Sequence, residues 1–150
     1  MKNLFKIIPL LIISFFLFSC TVSKIDTLKT VAEFEREYHT GGRIYSSLAS
    51  EADEGYIGAE MKEAIFPNGL PPCEYSLLMY SSLSKVEELG VFALANSGEA
   101  FELMSVLEER IKLLSSFMEG ESFIYEKGGV ITYGFFKDAE EAKKLLKKLL

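Results

Sequence analysis

The chain has 150 residues, a formal net charge of −6 and 49% hydrophobic residues, with two cysteines, one histidine and no tryptophan. That is enough chain for one domain with a real core. It is too acidic for a nucleic-acid partner, which needs clustered positive charge.

The first twenty residues, "MKNLFKIIPLLIISFFLFSC", place Lys2 and Lys6 ahead of an apolar run of twelve residues, Ile7 to Phe18. A membrane-spanning helix needs about 20 apolar residues. The run instead has the length of the hydrophobic part of a secretory signal, and Pro9 argues against a stable buried helix. Leu17-Phe18-Ser19-Cys20 resembles a bacterial lipobox, with an apolar residue three places before the cysteine and a small one directly before it. The resemblance implies cleavage before Cys20 and a diacylglyceryl group on its sulfur. The protein would then be held on the extracytoplasmic face of a cell membrane by its lipid. Two or more acyl chains anchor stably where one does not. The alternative is an ordinary signal peptide that happens to contain a cysteine.

The expected organisation is a signal peptide over 1–19, a lipid-anchored tether over 20–26 and one domain over 27–150. Removing the first 19 residues leaves 131, with 14 basic side chains against 22 acidic ones, a balance of −8. An acidic surface does not favour anionic lipid, so the lipid itself must do the anchoring. With Cys20 acylated, Cys73 is the one remaining thiol, and the fold must hold by packing rather than by a disulfide.

After the tether, "TLKTVAEFEREYHTGG" reads as a helix capped by Asp26 or Thr27 and ended by Gly41-Gly42. "GAEMKEAIF" reads as a short helix closed by Pro67, and Pro71-Pro72 as a break. "EYSLLMYSSL" and "LGVFALA" (Leu89 to Ala95) are strands, with Lys85 to Glu88 as the charged turn between them. In "NSGEAFELMSVLEERIKLLSSFM", Ala100, Leu103, Met104, Leu107, Ile111, Leu114 and Met118 form one apolar stripe. Asn96 and Glu99 have the spacing of a capping box. "SFIYEKGGVITYGFF" is a hairpin turning at Lys127-Gly128-Gly129. "DAEEAKKLLKKLL" is a helix capped by Asp138 and Glu141, with acids early and lysines late, as the helix dipole favours. The pattern predicts an α+β fold with an antiparallel sheet of about four strands, ordered β-β-α-β-β-α after N-terminal helical segments.

"SKVEELGVFALANSGEAFELMSVLEERIKLL" followed by "GGVITYGFFKDAEEAKKLL" resembles domain-of-unknown-function family 4358, bacterial lipoproteins of Gram-positive, clostridial type. The resemblance covers Val86 to Leu146, through E-x-G-V-F, a Glu-rich helix containing Glu109-Arg110, and a Gly-led strand running into "DAEEA". It implies a location and no activity.

No Gly-rich phosphate loop, Ser-centred elbow or zinc spacing occurs in the sequence. His39 sits at a helix end with no nucleophile or partner beside it. "SEADEGYIGAE" has the oxygen ligands of a calcium loop in part, but its glycine is displaced and its ligands are too few. Cys73 has no basic partner close in sequence to activate it. Arg110 borders the apolar stripe, so its stem should lie along the core edge with its guanidinium in water or on a carboxylate. No catalytic residue, cofactor or metal site is therefore assigned. In "VITYGFF", Ile131, Tyr133 and Phe135 point one way and Val130, Thr132, Gly134 and Phe136 the other. Two C-terminal helices on one face would leave the second face to the N-terminal segment, or open. Ile131, Tyr133 and Phe135 are thus the candidate interaction surface, provided their face is open. The expected function is a non-catalytic module that binds a protein or another envelope component. The alternatives are a small-ligand or metal-binding lipoprotein, or an accessory subunit of an envelope enzyme.

Overall fold

The computed structural model describes residues 25–150; the proposed signal segment, Cys20 and most of the tether lie outside the described residues. The Asp26 carboxylate accepts from the Lys29 amide at 2.9 Å and opens helix α1, Thr27–Tyr38. It thereby satisfies one of the amides that a helix start leaves unpaired. The helix stops where His39 turns left-handed at φ 60°. The Glu35 carboxylate then takes the Thr40 amide at 3.0 Å, the Thr40 hydroxyl at 2.5 Å and the Gly41 amide at 2.7 Å.

Strand β1 (Arg43–Ser46) follows, then α2 (Ala59–Ile65), β2 (Cys73–Ser81) and β3 (Val86–Leu94). A single 3-10 turn, Ser97–Glu99, leads into α3 (Ala100–Phe117), followed by β4 (Glu121–Lys127), β5 (Val130–Phe136) and α4 (Ala139–Leu149). The α+β class and the order of the second half agree with the sequence reading. The sheet has five strands, in the order β1-β2-β3-β5-β4, with every neighbouring pair antiparallel. The added strand is β1, which docks on the outer edge of β2 with Ile44 opposite Leu78.

Two local expectations are corrected. The β2–β3 turn is not Lys85 to Glu88 but Ser82 to Lys85, closed by the Ser82 amide donating to the Lys85 carbonyl at 2.8 Å. Strand β3 therefore starts early and draws Glu87 and Glu88 into the sheet, where they are 3% and 1% exposed. The Asn96–Glu99 capping box does not form. The Asn96 side chain accepts from the Gly98 amide at 3.0 Å, which shapes the 3-10 turn instead. The β4–β5 hairpin turns where the sequence places it, at Gly128 and Gly129, with φ of 59° and 81°. Two successive positive φ values are what a tight two-residue hairpin needs, and glycine adopts them without strain.

The sheet is covered on both sides. One face carries Leu78, Leu89, Val91, Val130 and Phe136 beneath Val31 and Phe34 of α1 and Ala142 and Leu146 of α4. The other carries Tyr75, Leu77, Phe92, Ile131, Tyr133 and Phe135 beneath Ile65 and Phe66 at the end of α2 and Leu103, Leu107 and Leu114 of α3. The two C-terminal helices thus lie on opposite faces, against expectation. Helix α3 carries the chain from β3 to the edge strand β4 and occupies the space over β5. When β5 ends, α4 has only the other face to return along. Ile131, Tyr133 and Phe135 are 0% exposed, so the condition of an open face is not met and these residues are core rather than an interaction surface.

Leu107 is fully buried at the centre of the α3 stripe, and Glu102 is exposed on the same helix. Leu107→Ala should cost about 2–5 kcal/mol in a denaturant melt of the domain, whereas Glu102→Ala should leave the midpoint nearly unmoved. Equal shifts would mean that α3 presents a different face to the sheet.

Candidate functional site

Tyr133 does not offer its ring to a partner. It turns its hydroxyl inward, where it donates to Oε1 of Glu88 on the neighbouring strand. The same carboxylate accepts two bonds from Arg110 of α3, from Nε at 2.8 Å and from Nη2 at 2.7 Å. Such a two-point guanidinium–carboxylate contact is both strong and directional. The ion pair is buried, with side-chain exposures of 10% for Arg110 and 1% for Glu88. Burial works against the Arg110 charge, but the hydrogen bonds and charge of Glu88 more than offset it and hold the guanidinium's proton more tightly than usual. Burial first, and then the Glu88 charge, push the Tyr133 phenol well above its ordinary value. The raised Tyr133 phenol stays neutral and acts as the donor to Glu88.

Gly90 makes the trio possible. It lies opposite Tyr133 in the β3–β5 register and between Glu88 and Phe92 on one face of β3. A Cβ there would meet the Tyr133 ring at 2.3 Å and the Phe92 ring at 2.6 Å. Only a bare backbone lets the Tyr133 ring cross β3 to reach Glu88.

Glu88 and Arg110 form the floor of a groove of about 410 Å³ between the far end of α3 and the β2–β3 hairpin. Its walls are mainly apolar and include Tyr45, Met61, Met79, Val86, Leu113 and Phe117. Phe117 is 75% exposed, and Leu83, at the tip of the adjoining hairpin, is fully exposed. No signal in the sequence reading singled out this groove, because its walls come from β1, α2, β2, β3 and α3.

The other sequence candidates fall in separate places. His39 is exposed and lines a cleft of about 910 Å³ with Lys85, Glu87, Lys137, Asp138 and Glu141. Lys85 Nζ stands 2.7 Å from Glu87 Oε2, so the buried carboxylate there already has its counter-charge. Burial, followed by the charges of Glu87, Glu141 and Asp138, raises the Tyr38 phenol in this cleft to about 12. In the acidic loop, Asp53 accepts from the amide and hydroxyl of Ser50, each at 2.8 Å. Those bonds hold its carboxyl below the ordinary value and fold the loop on itself. Among the described residues, no group of three His, Cys, Asp or Glu side chains is placed to hold a metal ion. Cys73 is half-buried, and burial pushes its thiol up to about 11, which leaves little thiolate at neutral pH.

No protein-family model matches the chain, and comparisons with curated proteins and with solved structures return no match. Among the described residues, no helix is long and apolar enough to cross a membrane.

Removing one member of the buried pair should be worse than removing both. Arg110→Met strands the Glu88 carboxylate and should cost about 3–5 kcal/mol in urea melts. The double variant Arg110→Met with Glu88→Gln should regain a large part of that loss. A double variant no more stable than Arg110→Met alone would show that charge compensation is not what Arg110 supplies.

Proposed function

We propose that the chain is a lipid-anchored extracytoplasmic binding module that carries out no chemistry of its own. The anchoring half of the reading stands on the twelve-residue apolar run that ends at Leu17-Phe18-Ser19-Cys20. The binding half is carried by one observation: exposed apolar side chains gather around the groove at the end of the domain opposite Ile25. Strand β2 runs from Cys73, beside Ile25 where the described chain begins, to Ser81 at the opposite end. Leu83, Leu113 and Phe117 all lie at that opposite end, exposed by 103%, 39% and 75%.

The partner that fits is an envelope protein presenting an apolar side chain among basic groups. The apolar part answers the groove, and the basic part answers the balance of −8 left after the signal is removed. Large exposed apolar groups around a concave surface mark contact sites, and charge complementarity steers the encounter and makes it sensitive to salt.

Intact-mass analysis of the protein from its own membrane should find a chain beginning at Cys20 and carrying acyl groups, and Cys20→Ala should leave it unprocessed or released. An unmodified Cys20 would overturn the anchored reading. Crosslinking in that membrane should give a discrete adduct that weakens with added salt and is lost in Phe117→Ser with an unchanged melting curve. An adduct indifferent to Phe117→Ser would place the contact elsewhere.

A further inference from the structure

We infer that the end of the domain beginning at Ile25 rests on the bilayer, so that its groove and two exposed helix-start residues form a lipid-facing surface. This rests on the proposed acylation of Cys20 and goes beyond it by assigning which surface meets the lipid. Five residue steps separate Cys20 from Ile25. At 3.3–3.6 Å per fully extended residue they reach at most about 18 Å. Whatever path those residues take, the end of the sheet at Ile25 stays within that distance of the anchored sulfur.

The surface at that end has the chemistry for a lipid contact. Ile25, Pro72, Ala93, Leu94, Ala95 and Val130 line a mainly apolar groove of about 610 Å³ across the ends of β2, β3 and β5. Helices α1 and α3, on opposite faces of the sheet, both start at this end. Each exposes a large apolar residue in its first turn, Leu28 at 41% and Phe101 at 82%. Neither is used by the core. Phe and Leu side chains presented beside a lipid anchor add buried apolar area at the headgroup–acyl boundary. The lipid surface is the occupant because the tether leaves this end no freedom to be far from it. The β2–β3 hairpin and Phe117 are at the opposite end, where the same tether gives no such constraint.

The chain has no tryptophan, so a single introduced indole reports its own surroundings. The full acylated protein, carrying either Phe101→Trp or Leu83→Trp, is reconstituted into phosphatidylethanolamine–phosphatidylglycerol vesicles with and without brominated acyl chains. Both sites are exposed, so neither indole has to enter the core. The Phe101→Trp indole should shift to the blue and lose about half its emission to the brominated lipid, as expected for a side chain at the acyl boundary. The Leu83→Trp indole should be unquenched. Equal emission with and without bromine at Phe101→Trp, or quenching at Leu83→Trp, would overturn the inference. The intact mass of the same samples separates the two failures. A chain without acyl groups on Cys20 removes the anchored reading, whereas an acylated chain with an unquenched Phe101→Trp indole removes only this surface.

Discussion

Strands β3 and β5 are apolar on both faces, and this constraint organises the rest of the domain. Leu89 and Val91 point to one side of β3 and Phe92 to the other. Val130 and Phe136 oppose Ile131, Tyr133 and Phe135 in β5. A strand of this kind cannot sit at a water-facing surface, because each large side chain left exposed forgoes roughly 1.5–3 kcal/mol of burial. The chain meets the constraint by sending helices to both sides. Helix α3 crosses over β5 to reach β4, and α4 returns beneath with α1. The three layers follow from the two-sided strands and from the order in which the connections fill the space.

Into this apolar arrangement the sequence sets a charged contact between helix and sheet, Glu88 with Arg110, completed by Tyr133. A buried ion pair is a weak source of net stability, since desolvation offsets most of its attraction. Its geometry is demanding, however. The two-point contact holds α3 at one register over β3, and the Tyr133 hydroxyl ties β5 to the same carboxylate.

Much of this was legible in the sequence. The Asp26 and Asp138 caps, the stripe from Ala100 to Met118, the Gly128-Gly129 turn and the α+β class are all local patterns, set by spacing within a few residues. Arg110 was read as reaching water or a carboxylate, and the carboxylate is the one that forms. What escaped was non-local. Glu87 and Glu88 read as a solvated turn because charge usually marks one, and only partners on α3, β5 and the hairpin make their burial possible. Strand β1 is four residues long and has no strong alternation, so its place is set by the edge of β2. The pairing of helices with faces depends on which connection occupies the space over β5, and no window of sequence contains that. For the same reason the sequence left the face of Ile131, Tyr133 and Phe135 either covered or open, and it is core, while the groove near Phe117 went unseen.

The domain is thus a two-sided sheet with helices closing both faces, and the proposed reading of its two ends depends on that closure. Native-state hydrogen exchange on the full chain tests that closure most directly, because the slowest amides report the parts that open only on global unfolding. Amides of Leu89 to Phe92 and Ile131 to Phe135 should exchange together at the global limit. Faster exchange in Ile131 to Phe135, with Leu89 still protected, would mean that α3 lifts from the sheet on its own, contradicting the account.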